Sequence, residues 1–264
     1  MAAKQAQTLD SSRRSAHEIL KQVVDNGRDE LERSTHALFF SGLAGGMAMG
    51  LTGLGVAVMQ ATLGEGGWQE VVANMIYPIG FIAVIIGRAQ LFTENTLYPV
   101  IIVLDEPHKM PNLLRLWGTV FVSNVVGALA FASLAERTPA LNPAYGEALM
   151  KLGLSAAGNS IGFIFWSGVI GGWIIALVAW MVSASHWTIG QIAIVWLLTF
   201  LVGIGHFAHC IATSGEILSA VVGGLLPVPI YLKWLLFATM GNIVGGVTIV
   251  SLLNYGQVKA GEAE

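Results

Sequence analysis

Six apolar stretches, each long enough to cross a bilayer and separated by short polar gaps, constrain this 264-residue chain more than any other feature. They cover residues 36–63, 71–104, 113–135, 157–183, 191–226 and 231–254. In hydrocarbon every backbone N–H and C=O must find a partner within the protein, so stretches of this length are helices. Only 11% of the residues are charged and the mean hydropathy is +0.69, against roughly 25% charged in a soluble domain. A water-facing globular fold is therefore excluded. The expectation is an all-α integral membrane protein with six transmembrane helices over 36–255, a cytoplasmic tail at 1–35 and a short one at 256–264.

Two of the six stretches are unlike the others. The second carries Gly87, Arg88, Gln90, Thr93, Glu94 and Asn95, and the fifth carries His206, His209, Thr213, Ser214, Gly215 and Glu216. Both are too long and too polar for one plain helix, so the second and fifth helices are expected to be broken. Each half of the chain then holds three spans with the middle one interrupted, and an odd number of crossings sets the halves in opposite orientation. That is the pattern of an inverted 3+3 repeat, the architecture of transporters and channels. Backbone freed from helix at membrane depth is tolerated only where it is buried in protein or lines a polar cavity, so the two breaks are expected to meet near the midplane.

Charge places the ends. The tail, the 105–115 loop and the C-terminus hold nine lysines and arginines, Lys4, Arg13, Arg14, Lys21, Arg28, Arg33, Lys109, Arg115 and Lys259, and the other side holds Arg137, Lys151 and Lys233. Both termini are thus expected in the cytoplasm. In the tail Ala16, Ile19, Leu20, Val23, Val24 and Leu31 recur at helical spacing, the mark of an amphipathic helix resting on the bundle. A net charge of −3 with scattered basic residues excludes a nucleic-acid partner. The single cysteine, Cys210, excludes a disulfide framework.

His209 is the leading functional candidate, because an ionisable side chain inside a span is costly and marks a permeation pathway by default. His206 is a second pathway candidate or a structural partner. Thr213 and Glu216 have the spacing of a capping box. They would open a half-helix whose N-terminus, with its unpaired N–H groups, faces an anion. Thr93, Glu94 and Asn95 would do the same in the first half, with Thr93 within reach of the histidine. Glu94 and Glu216 would repel an anion unless paired or protonated, and Arg88 is expected either to pair with one of them or to face a polar vestibule. Ser214 with His209 suggests a hydrolase, but nucleophile and base five residues apart in one segment do not form a dyad. His206, His209, Cys210 and Glu216 lack any recognised metal spacing, and no cofactor is expected. Asn142, Pro143 and Ala144 are read as an external turn.

Ala89-Gln90-Leu91-Phe92-Thr93 is similar to the Ala-Glu-Leu-Phe-Thr loop of the formate/nitrite transporter family, and His209-Cys210 to its central histidine followed by a small residue. With Ala179-Trp180-Met181 after Gly168 and Gly171, the chain resembles that family over about 36–255, and within it the YfdC-like branch. The resemblance implies a homopentamer in the inner (plasma) membrane, with an aquaporin-like path through each protomer. It also implies that Thr93 and His209 face each other between apolar constrictions, for which Tyr77, Phe81, Leu91, Phe92 and Val202 are the candidates. The chain departs from the family at Gln90, Glu94, Gly172 and Thr213, and Lys151 stands nearest to the family's outer lysine. The implied activity is passage of a small monovalent anion of a weak acid, which enters an apolar constriction cheaply only as the neutral acid. His209 is placed to lend the proton. A channel for a neutral or cationic solute, and a non-conducting structural or sensing protein, stay open as alternatives.

Overall fold

The computed structural model describes residues 14–262. Lys4 and Arg13 of the orientation argument, and the beginning of the 1–35 tail, lie outside the described residues. Among the described residues the structure is entirely helical.

Helix α1 (Ala16–Glu32) opens with a capping box, in which Ser15 Oγ accepts from the Glu18 N–H and the Ser15 N–H donates to the Glu18 carboxylate. Its apolar face, Leu20, Val23, Gly27 and Leu31, is buried. The spans follow as α2 (Thr35–Leu63), a second span of α3 (Gly67–Asn74) and α4 (Ile79–Ile86), a break, and α5 (Tyr98–Asp105). Next come α6 (Met110–Arg137), α7 (Pro143–Ala157), α8 (Ile161–Ala184), α9 (Thr188–Ile204), a second break and α10 (Ala212–Val222). Helix α11 (Val228–Val244) continues through a π-helical stretch at Gly245–Leu252 into α12 (Leu253–Glu262). Helical structure runs without a gap from Val228 to Glu262, so residues 256–262 of the expected C-terminal tail continue the last helix. Among the described residues five helical stretches are long and apolar enough to cross a membrane, and α9 and α10, on either side of the second break, are shorter apolar helices.

Two features differ from the sequence reading. Asn142 is not in a plain turn: its side chain accepts from the Ala144 N–H and, with Pro143 at the first helical position, it caps α7. This 15-residue helix is too short to register as a span, yet it buries Leu149 completely and packs on α10 and α2. Nor do Thr213 and Glu216 form a capping box; α10 starts at Ala212 after Ile211 without a side-chain cap at that position.

The packing repeats between the two halves. Asn124 on α6 accepts from the Phe92 N–H at 2.9 Å and donates to the carbonyls of Gly42 and Gln90 at 2.7 and 2.9 Å. Asn242 on α11 accepts from the Cys210 N–H at 2.8 Å and donates to the carbonyls of Gly168 and Ala208 at 2.8 and 2.9 Å. Each asparagine thus ties the first helix of its half to the break in the middle one. Close approach makes this possible. A Cβ added to Gly46 would lie 2.0 Å from the Asn124 carbonyl oxygen, and one added to Gly172 would lie 2.2 Å from that of Asn242. Large apolar side chains such as Phe40, Trp166 and Leu197 point outward, the reverse of a soluble protein and the arrangement lipid contact requires.

Candidate functional site

Both broken spans stop in the same way. The Ala89 N–H bonds to the Val84 carbonyl and the Arg88 N–H to that of Ile85; Phe207 to Val202 and His206 to Gly203 repeat the pattern. These are Schellman terminations, whose closing residue adopts the left-handed conformation. Here that residue is Arg88 (φ 57°) or His206 (φ 50°) instead of glycine. The chain therefore turns sharply out of helix at membrane depth, and in each break an asparagine satisfies one of the freed carbonyls, that of Gln90 by Asn124 and that of Ala208 by Asn242.

The second break leads directly into α10. His209 Nδ1 accepts from the N–H groups of Ala212 at 3.0 Å and Ile211 at 3.3 Å, so the imidazole itself caps the half-helix. Those two donors assign the lone pair to Nδ1, and the proton of the neutral ring therefore sits on Nε2. Nε2 lies 2.8 Å from Thr93 Oγ1, and the ring N–H donates to that hydroxyl. The two residues, from opposite halves of the chain, are both completely buried. Phe81 closes one side of the imidazole, edge to face, with ring centres 5.1 Å apart.

A cavity opens on each side of this pair. The larger, about 260 Å³, is lined by Tyr77, Val202, Ala208, Thr213, Glu216 and Trp234 among others. The smaller, about 120 Å³, is lined by Arg88, Gln90, Leu91, Glu94 and Tyr98, together with Asn26, Asp29 and Glu30 of α1. Each has room for several water molecules or a small hydrated solute. Thr93, His209 and Phe81 line neither cavity; Ala208, next to His209, lines the larger and Glu94, next to Thr93, lines the smaller, which sets the hydrogen-bonded pair between them.

The remaining predicted residues divide between wall, rim and packing. Tyr77, Val202 and Thr213 line the larger cavity and Leu91 the smaller, while Phe81 faces the histidine. Phe92 lines neither; its ring packs against Trp117 and Phe121 of α6 at 5.7 and 5.1 Å. Phe92 is thus buried against α6, while its neighbour Leu91 lines the smaller cavity. Arg88 makes no ion pair with Glu94 or Glu216; its side chain is exposed on the rim of the smaller cavity, the second of the two outcomes expected for it. His206 is not on a helix face. Its left-handed turn carries the ring to the mouth of the larger cavity, where Nε2 meets the Glu70 carboxylate at 2.8 Å. Ser214 bonds to the Cys210 carbonyl and to the Tyr231 hydroxyl, away from His209, which removes the geometry a hydrolase needs. Sequence reasoning passed over Asn124 and Asn242. The available signal was an asparagine near the middle of the third and of the sixth apolar stretch.

A bundle of apolar helices, broken twice around a buried polar pair between two cavities, defines a multi-pass membrane protein with a transport pathway. The chain belongs to the formate/nitrite transporter family, whose model matches residues 17–256. It is 34% identical to the inner membrane protein YfdC of Escherichia coli, over 95% of this chain and 80% of that protein. To a probable formate transporter of Methanothermobacter thermautotrophicus it is 32% identical, over 71% of this chain and 74% of the other. Two solved structures share its fold: an FNT family ion channel, with TM-score 0.78, 19% identity and coverage of 92% of this chain and 99% of that one, and a pentameric formate channel with formate bound, with TM-score 0.72, 20% identity and coverage of 86% and 98%. A family of transporters calls for a pathway and not for chemistry on a substrate, which agrees with the site.

Proposed function

We propose that the protein is a channel for a small monovalent anion of a weak acid, formate or nitrite in type, which crosses the Thr93–His209 partition as the neutral acid. The observation that carries this reading is the 2.8 Å bond between Thr93 and His209 at the junction of the two cavities. With Nε2–H donated to Thr93 Oγ1, the threonine hydroxyl proton is left to point into the pathway, where it offers one hydrogen bond to a solute oxygen. A bare anion at this apolar, fully buried point would lose hydration worth many kcal/mol, whereas its neutral acid keeps the hydroxyl contact and passes. The half-helix α10, with its N–H groups partly occupied by the imidazole, leaves a residual positive field that draws the anion into the larger cavity.

By analogy with the pentameric formate channel, five copies are expected to assemble in the inner membrane, each with its own path, and the count of basic residues sets both termini in the cytoplasm. The odd number of crossings in each half supports the inverted relation between the two copies of the asparagine motif. Flux into liposomes of formate, nitrite, hydrosulfide, acetate and ammonium tests the proposal. Saturable uptake of the weak-acid anions, faster with an inward proton gradient and reduced about tenfold by Thr93→Val, is the expected result. Glu94 and Glu216 in the cavities favour a second reading, a path for a neutral or cationic solute. Uptake of ammonium alone would select it.

A further inference from the structure

Each cavity contains a group that an anion pathway does not call for. Glu216 projects from α10 into the larger cavity and Glu94 from the short 3₁₀ turn at Glu94–Thr96 into the smaller. Both are only 8% exposed. Among the described residues neither carboxyl makes a hydrogen bond to the protein or an ion pair within 4 Å. A carboxylate is anionic, so at close quarters it repels the permeant. Its protonated form does the opposite, because the acidic O–H is a strong donor to a second carboxylate-like oxygen and shares or surrenders its proton there.

His209 is poorly placed for that exchange. Its Nδ1 is held by the N–H groups of Ile211 and Ala212, so a second proton on the ring would set donor against donor, and its one proton is engaged with Thr93. The groups around the glutamates are few. Arg88 at the end of α4, Asp29 and Glu30 on α1 and Tyr98 on α5 surround Glu94. Tyr77 and the Glu70-bound His206 share the cavity of Glu216, and the lining from α2, α7 and α11 adds no charge.

We propose that Glu216 and Glu94 are the proton-exchange groups of this pathway, one in each cavity, and that the central Thr93–His209 pair sorts what passes between them. The proposal rests on the weak-acid reading above. For transfer from the larger cavity to the smaller, the O–H bond of protonated Glu216 breaks and a new O–H bond forms on the entering anion, which leaves a Glu216 carboxylate and a neutral acid. The acid crosses the partition. Its O–H bond then breaks, Glu94 carboxylate takes the proton, and the anion departs from the smaller cavity. Glu216 regains a proton from hydronium on its own side and Glu94 releases one to water on the other, so one proton accompanies one anion.

Full-length protein in liposomes enclosing a pH-sensitive dye, with sodium formate as the probe, tests this. Glu216→Gln and Glu94→Gln keep the side-chain volume and should each slow formate uptake about 10²-fold at neutral pH and flatten its pH profile. Glu216→Asp keeps a titratable group and should restore the pH dependence. Wild-type rates and an unchanged pH profile in both glutamine variants overturn the proposal while leaving the anion-channel reading intact. No formate flux in the wild type overturns both. Should the variants fail to fold, the wild-type protein still decides: a carboxylic-acid C=O infrared band at neutral pH that weakens when formate is added supports the exchange, and a spectrum without such a band, or with one indifferent to formate, overturns it.

Discussion

Between Ile86 and Tyr98 the chain passes through left-handed Arg88, an irregular loop and a 3₁₀ turn before helix resumes, whereas between Ile204 and Ala212 it passes through left-handed His206 and re-enters helix almost at once. The entry to the two breaks is the same and the exit is not. At the second, the His209 ring satisfies two N–H groups at the start of α10. At the first, Thr93 caps nothing, and the N–H groups of Asn95, Thr96 and Leu97 turn back to carbonyls three residues earlier, which is what winds the 3₁₀ turn. The left-over Thr96 carbonyl is met by Ser251 Oγ from the π-helical stretch of the last span, a feature without a counterpart on α6. One half of the repeat therefore supplies an imidazole fixed by its own backbone, and the other supplies a hydroxyl free to face it.

The largest effects should come from the asparagines that make the breaks equivalent. Asn124→Leu strands the Phe92 N–H and weakens the satisfaction of two carbonyls, and Asn242→Leu does the same at Cys210, Gly168 and Ala208. Unsatisfied backbone groups in a bilayer cost several kcal/mol each. Both variants should lower the melting temperature in detergent by about 10 °C or fail to fold. A variant of one asparagine that melts like wild type while the other collapses would break the correspondence between the halves.

A smaller difference should separate the two members of the central pair. Thr93→Val loses one interhelical hydrogen bond, on average about 0.6 kcal/mol in a membrane protein. His209→Phe loses that bond and the cap of α10, worth a further ~1 kcal/mol. Formate flux should fall in both, and only the histidine variant should melt clearly earlier. Equal melting temperatures would mean that the imidazole does not cap the helix.

The apolar stretches reveal the spans, the polar interruptions locate both breaks, and the expected meeting of Thr93 with His209 is found as a hydrogen bond. These features are legible because each has a local signature: length, hydropathy, or an ionisable residue in hydrocarbon. What escaped depends on tertiary contact. Arg88 and His206 close Schellman turns usually closed by glycine, so their charges suggest function where their backbones supply geometry. Phe92 and Leu91 are equally apolar, and only the position of Trp117 and Phe121 decides which faces the path. Helix α7 is amphipathic and starts with Asn-Pro, a pair that serves turns and helix starts alike.

Those left-handed residues sharpen the comparison at the level of about 1 kcal/mol. A non-glycine residue in this conformation costs ~1–2 kcal/mol, part of which glycine recovers. Arg88→Gly should therefore raise stability by up to about 1 kcal/mol, since its side chain lies exposed on the rim. His206→Gly gains the same relief but loses the bond to Glu70, and should be close to neutral. Thermal melting distinguishes the two, and a destabilised Arg88→Gly variant would show that the arginine side chain stabilises the rim.

The smallest effect concerns what covers each cavity. The larger is backed by α7, whose Gly153 sits so close to α10 that an added Cβ would lie 2.2 Å from the Glu216 carbonyl oxygen. The smaller is partly covered by α1, which packs on α5 but is also tied at its rim by the exposed Arg28–Glu106 ion pair. The Arg28 hydrogen bond holds the Glu106 carboxyl below its ordinary value, and the Ser15 capping box does the same for Glu18 at the start of α1. The lowered Glu106 carboxyl favours docking of α1, and the lowered Glu18 carboxyl favours the helical start of α1, at pH above the ordinary carboxylate range; both contributions fade as pH falls through the lowered values. Amide hydrogen exchange in α1 should accordingly accelerate on acidification below that range, with exchange in α7 unchanged relative to the rest of the bundle. The ion pair and the capping box are solvent-exposed, so the change should be modest and should shrink in high salt, where the ion pair is screened. Equal acceleration in α7 would mean that acid loosens the whole bundle and that α1 is not held differently from the helix that backs the other cavity.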